Sequence, residues 1–281
     1  MLLELAVGDA YGAGFEYARD NITQFNDLSR YVKHPTHHIL PSCYTDDTQM
    51  SLAIAEVIIS GVEWTPLNLA NQFVAAFKRD PHEGYAGSFH EFLQQVQDGV
   101  EFLAKIVPNS DKSGAAMRAI PIGIFSTIEE VVEQCTVQAA ITHNTPDGIR
   151  AAVTAALMSH YFIYHLGPKV ELGKFLDQHV PGSHLWSKPY VGKVKSKGWM
   201  SVQAAVTAVM RNNSMCDLLK DCIAFTGDVD TVATIALGAA CNCQEITQDL
   251  PVHLIDTLEN GPYGKEYIMS LDAKLAKLYP Q

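Results

Sequence analysis

Apolar residues recur along most of this chain at the three- and four-residue spacing of an α-helix. Residues 50–60, MSLAIAEVIIS, are apolar on most faces and predict a buried helix, as do residues 147–164, DGIRAAVTAALMSHYFIY. Between 230 and 240, Val232, Ile235, Ala236 and Ala239 follow an i, i+3, i+4, i+7 pattern. Further helices are predicted near 66–79, 88–105, 114–124, 127–140, 201–211, 215–225 and 264–278. Alternating strand patterns are scarce. The expectation is an all-α fold, a single compact multi-helix domain over residues 1–281, with its chemistry on the connecting loops. Turn-rich segments stand at 8–14 (GDAYGAG), 33–46, 80–88, 109–114, 142–148, 180–200 and 226–231. Several place Asp, Thr, Ser, His or Gly just ahead of an apolar helix, where oxygen ligands and anions are readily received.

Composition agrees with a large core. Hydrophobic residues make up 47% of the 281 and charged residues 18%, so disorder is not expected. The net charge of −11 argues against wrapping nucleic acid, which needs a basic face. Lys188, Lys193, Lys195 and Lys197 form a local basic spot that reads as a solvated loop. Cys43, Cys135, Cys216, Cys222, Cys241 and Cys243 have no zinc-ribbon spacing and read as free thiols of a reducing compartment. With no basic-then-apolar leader and no membrane-length apolar run, the expectation is a cytoplasmic protein, monomeric and without membrane or nucleic-acid partners.

Two turns carry candidate chemistry. Thr45-Asp46-Asp47-Thr48 precedes the 50–60 helix, and adjacent carboxylates raise each other's pKa unless a cation is present. Hard divalent ions such as Mg²⁺ or Mn²⁺ favour such oxygen ligands. Gly227-Asp228-Val229-Asp230-Thr231 repeats the theme ahead of the 230–240 helix, its acids spaced to aim at one point. For each turn the competing reading is a helix cap with exposed first-turn acids. Two such clusters at helix starts suggest one site for a pair of metals, as in two-metal hydrolases. A third segment, Gly8-Asp9-Ala10-Tyr11-Gly12-Ala13-Gly14-Phe15-Glu16, places Glu16 after the first helix.

These segments, with Gly84-Tyr85-Ala86-Gly87, Gly114-Ala115-Ala116-Met117-Arg118 and Thr142-His143, occur in the order seen in the ADP-ribosylglycohydrolase family, which the chain resembles over roughly residues 3–265. The resemblance implies an all-α hydrolase with a binuclear Mg²⁺ or Mn²⁺ centre that removes ADP-ribose from a modified protein side chain, arginine foremost. By motif position it implies Thr45, Asp46, Asp47, Asp228, Asp230 and Thr231 as metal ligands, and Asp46, Glu16 and Asp230 as catalytic. Gly84, Tyr85, Gly87, Ser88, Ser113, Gly114, Met117 and His143 match segments that enclose the diphosphate and adenosine. Tyr85 or Phe89 is a candidate to stack on adenine, and equally a core ring.

The sequence departs from the family pattern in places. Thr226-Gly227-Asp228 replaces Gly-Gly-Asp, the turn after His143 lacks a second histidine, and Ser110-Asp111-Lys112-Ser113-Gly114 replaces a Gly-Asn-Gly loop. An Asp at 111 would repel a diphosphate. Alternatives are an ADP-ribose-binding relative with little turnover, a hydrolase of a small derivative such as O-acetyl-ADP-ribose, a structural member of the family, and a two-metal phosphohydrolase. His34, His37 and His38 read as a solvated loop, and His90-Glu91 lacks the second histidine of a zincin helix.

Overall fold

The computed structural model describes residues 1–278. Fifteen α-helices follow in order: α1 Leu2–Ala13, α2 Arg19–Phe25, α3 Asp46–Ser60, α4 Pro66–Arg79, α5 Gly87–Gln95, α6 Gly99–Lys105, α7 Gly114–Met117, α8 Ile128–His143, α9 Pro146–Ile163, α10 Leu172–His179, α11 Gly198–Arg211, α12 Met215–Ala224, α13 Val229–Ala240, α14 Val252–Thr257 and α15 Lys265–Leu275. Strand pairing among the described residues is limited to isolated bridges such as Val194 with Gly227. The all-α expectation holds.

Helix starts follow local chemistry. Thr65 and Thr145 cap α4 and α9 ahead of Pro66 and Pro146, and Thr127 with Glu130 forms a capping box on α8. The helix predicted over 88–105 is two helices, because Asp98 accepts from Glu101 N at 2.8 Å and starts α6. The larger correction concerns residues 8–14. They were expected to be a turn, yet 8–13 complete α1. Their glycines serve close approach, not a bend: a Cβ at Gly8 would lie 2.8 Å from Ala233 O, and one at Gly12 would overlap the Asp230 backbone. The penalty that glycine carries inside a helix is offset by the close packing of α1 on α13.

Every residue of α13 is buried, and α1, α9, α11 and α12 pack around it. Helix α3 lies against α1, α4 and α15. One continuous apolar core results, into which α1, α3 and α13 deliver their polar ends. All six cysteines are free, and no described helix is long and apolar enough to cross a membrane.

A candidate metal centre between α1, α3 and α13

Helix α3 begins at Thr45, whose side chain accepts from Asp47 N at 3.3 Å. The turn is tied down by Asp9 of α1, a fully buried residue whose role no local pattern reveals. Its carboxylate accepts from Thr45 N (2.9 Å), Thr45 Oγ1 (2.8 Å), Thr48 N (3.0 Å) and Thr48 Oγ1 (2.6 Å). Burial raises the Asp9 pKa, and these four donors pull it back. The hydroxyl protons and amides of Thr45 and Thr48 are thus taken by Asp9, which leaves a lone pair on Thr45 Oγ1 and the carboxylates of Asp46 and Asp47 for other partners.

The second turn is built differently. Asp228 occupies the N-cap position of α13 but makes no capping bond. Its Oδ2 accepts from Ser201 Oγ of α11 at 3.2 Å, and the hydroxyls of Thr231 and Ser113 also bond to it. One carboxylate oxygen each of Glu16, Asp228 and Asp230 lie within 4.8 Å of one another. The Thr231 hydroxyl stands between Asp228 and Asp47 and can donate to one of them at a time, and Asp47 also reaches this group through its repulsion with Asp228.

Electrostatics make the arrangement costly as it stands. Burial, then the charges of Asp9, Glu16 and Asp228, push Asp46 well above the usual carboxylate range. Asp47 and Asp230 are raised as strongly, by burial and by neighbouring carboxylates. Glu16 is pushed up to about 7 by burial and then by Asp228 and Asp9. Two buried oxygens, Asp47 Oδ2 and Asp230 Oδ1, have no hydrogen-bond partner. Clustered carboxylates with orphaned oxygens suit a hard divalent cation, which would supply the missing partner and cancel the repulsion. The chemistry of these donors is therefore compatible with a hard divalent cation.

Gly84, Ser113, Gly114 and His143 come to the rim of this centre. Gly84, at φ +106°, stands against Asp46 and Thr45, where a Cβ would overlap both. Ser113 contacts Asp228, and a Cβ on Gly114 would lie 3.1 Å from the His143 ring. His143 is held by a buried chain. Arg118, fully buried over the Phe73 ring at 4.4 Å, donates to Gln138 and to Thr142 Oγ1 (2.9 Å). Thr142 Oγ1 lies 2.7 Å from His143 Nδ1. An arginine can only donate, so the Thr142 hydroxyl accepts from Arg118 and ties the His143 ring to this buried chain through Nδ1. Burial and Arg118 push His143 down to about 3, which keeps it neutral.

Other predicted contacts lie elsewhere. Tyr85 is a core ring: it is buried edge-on against Phe77, and its hydroxyl donates to Gln49 Oε1 at 2.6 Å, so it is not free to stack on adenine. Phe89 joins the same aromatic cluster. Met117 is buried behind α3, its carbonyl accepting from Ser51. Gly87 and Ser88 are exposed at the start of α5. Asp111 is ion-paired with Lys197, which lessens its repulsion toward an anion.

The histidine loop is not simply solvated. His34 is buried: its Nδ1 accepts from Thr36 N and His37 N, so its Nε2 donates to Glu16 O at 2.6 Å. His37 stacks on His34 and places Nδ1 3.5 Å from the Glu16 carboxylate. No spacing rule links residue 34 to residue 16, so this contact is not legible along the chain.

The molecule is thus an all-α scaffold that buries a cluster of carboxylates where α1, α3 and α13 meet. The ADP-ribosylglycohydrolase family model matches residues 1–281, and the chain belongs to that family of glycosidases acting on ADP-ribose linkages. Among curated relatives, "ADP-ribosylhydrolase ARH3" of Xenopus tropicalis is 29% identical over 191 residues, covering 63% of this chain and 53% of that protein. "ADP-ribosyl-[dinitrogen reductase] glycohydrolase" of Rhodospirillum rubrum is 25% identical over 285 residues, covering 98% and 94%. This chain thus spans about half of the first relative and nearly all of the second. A solved chain titled "ADP-ribosylglycohydrolase-related protein complex" superposes with a TM-score of 0.72 at 20% identity, covering 99% of this chain and 96% of that one, a likeness of fold.

Proposed function

We propose that this chain removes ADP-ribose from a modified protein side chain, arginine foremost, using two divalent cations, Mg²⁺ or Mn²⁺. Thr45, Asp46 and Asp47 would hold them from α3, and Asp228, Asp230 and Thr231 from α13. The observation that carries this reading is the pair of orphaned oxygens, Asp47 Oδ2 and Asp230 Oδ1, the latter in the carboxylate cluster of Glu16, Asp228 and Asp230. The Rhodospirillum rubrum relative, whose name makes a modified protein its substrate, supports a protein target.

Cleavage at the anomeric carbon passes through an oxocarbenium-like state. Cations at this centre would fix the ribose hydroxyls and lower the pKa of a water. The residues supply the rest. Glu16, or Asp46, takes the proton from the attacking water and returns one to the leaving group. An acidic mouth also suits a guanidinium leaving group better than a neutral or anionic one. His143, kept neutral, presents a ring nitrogen toward the bound nucleotide. The backbone around Gly84–Ser88 and Ser113–Gly114 encloses the diphosphate, whose charge the acidic chain cannot meet with many side chains.

Peptides carrying ADP-ribosylated arginine or serine, incubated with Mg²⁺, Mn²⁺ or a chelator, test this. The expected result is metal-dependent release of ADP-ribose, fastest from arginine. The reading fails if no ADP-ribose is released under any condition and Asp46→Ala changes nothing. Release of phosphate would select a phosphohydrolase instead. Binding of ADP-ribose by calorimetry, without turnover of any linkage, would make the chain a binding relative.

A further inference from the structure

Beside the acid centre lies a cleft of about 440 Å³ with the opposite character. Its walls include Tyr17, Arg19, Lys193 and Phe225, its floor is the Thr226–Gly227 backbone, and no acidic residue lines it. Two of its edges continue directly into the centre. Tyr17 follows Glu16, Gly227 precedes Asp228, and Tyr17 N donates to Gly227 O at 2.9 Å. Tyr17 (φ 49°) and Thr226 (φ 64°) both sit in left-handed backbone, where such residues are rarely found, so tertiary contacts hold this rim in place.

The cations of the cleft are free to bind. Arg19 and Lys193 are exposed and make no ion pair among the described residues. Lys193 Nζ stands over the Tyr17 ring, 4.8 Å from its centroid, which holds the ammonium at the cleft wall. The neighbouring Arg211 is already paired with Asp221 and stacked over Phe225. In a chain of net charge −11, a basic opening one residue away from a cluster of carboxylates is a departure from the general field. A ligand that spans both places a cationic or neutral group at the acids and an anionic group in the cleft.

We propose that this cleft receives an acidic side chain, Asp or Glu, flanking the modified residue of the target protein, and so selects targets by the sequence around the modification. The proposal rests on the protein-directed activity set out above. Its occupant is a carboxylate on a peptide and not the diphosphate of ADP-ribose, because the loops that match the family's nucleotide segments meet the centre at Asp46 and at Asp228 through Gly84 and Ser113, neither of which lines the cleft.

The test uses two fluorescent peptides carrying the same ADP-ribosylated residue, one flanked by glutamates and one by glutamines. Binding is read by anisotropy in chelator, where no turnover is needed. The wild-type protein should prefer the glutamate peptide by about fivefold at low salt, as two exposed ion pairs allow, and the preference should fade at high salt. In Arg19→Glu/Lys193→Glu the preference should vanish or invert. Arg19→Gln and Lys193→Gln should each remove part of it, and Lys274→Glu, on α15, should not. Equal binding of both peptides by the wild-type protein would overturn the proposal. So would a charge reversal that weakens ADP-ribose itself as much as the peptides, since the cleft would then seat phosphate. Failure of the underlying activity shows separately, as absence of ADP-ribose release from both peptides when metal is restored.

Discussion

The turns that open α3 and α13 look alike in sequence, yet the fold uses them differently. At α3 the hydroxyls and amides of Thr45 and Thr48 are taken up by Asp9, so the turn is anchored before any ligand arrives. At α13 there is no side-chain cap, Asp228 takes hydroxyl donors from α11 and the 113 loop, and Asp230 keeps a buried oxygen without a partner. Both starts hold repelling carboxylates, but at α3 a buried acid of another helix takes up the turn's own donors, whereas at α13 the hydroxyl donors come to the N-cap acid itself. The shared acid-and-hydroxyl pattern therefore does not say which acids stabilise the fold and which are kept available. That depends on whether a neighbouring helix supplies a partner.

Substitution should separate the two roles. Asp9→Ala leaves buried amides and hydroxyls of the α3 turn unsatisfied and should destabilise the protein by about 3–5 kcal/mol, read as a lower midpoint in urea or guanidinium. Asp230→Asn should act in the opposite direction on the metal-free protein, holding or raising its midpoint by removing a repelled charge. The same change should lower kcat by about 10²–10³-fold, the scale of losing an electrostatic partner of the reaction. If both substitutions destabilise equally, the two turns do the same work and the comparison fails.

Gly84→Ala should fall next. It forces a Cβ toward Asp46 and Thr45 at a φ that side chains rarely adopt, and should cost about 1–3 kcal/mol while weakening cation binding, measured by calorimetry with Mn²⁺. A pH series sharpens the contrast further. The carboxylates of the centre have raised folded pKa values, Glu16 near 7. Their favourable contribution to the metal-free protein is therefore full below the ordinary carboxylate pKa and is lost as pH rises through the folded values. A divalent ion needs the deprotonated oxygens and relieves the repulsion. The rise in melting temperature on adding Mn²⁺ should accordingly be larger at pH 8 than at pH 5. An equal rise at both would place the cation elsewhere.

Thr142→Val should have the smallest effect. It breaks the link from Arg118 to His143 while keeping the shape of the side chain. Nitrogen NMR should then show a shift in the tautomer balance of His143, with KM for substrate rising a few-fold and kcat changing less. A mere packing role would leave the tautomer in place.

Much of this was legible along the chain. The buried helices α3, α9 and α13 follow from apolar residues at helical spacing, and their starts follow from Thr45, Thr145 and the acids around 228. The GDAYGAG segment misled because glycine marks a turn in isolation; here Gly8 and Gly12 let α13 approach α1. Tyr85 offered a ring for adenine, and only its packing against Phe77 and its bond to Gln49 make it part of the core. His34 and Arg118 gave no local signal, because their partners lie across the fold.

The sequence by itself determined the helical class, the family and the two acid turns, since periodicity, capping residues and ordered motifs are local properties of a chain. The tertiary structure decided that Asp9 anchors one turn while Ser201 and Ser113 serve the other. It also decided that Glu16 is held by His34, and that Lys193 and Arg19, distant in sequence, open one basic cleft beside the acids. The reason is physical: a hydrogen bond or a charge–charge term depends on distance in space, and only packing α1 against α3 and α13 brings those groups within reach.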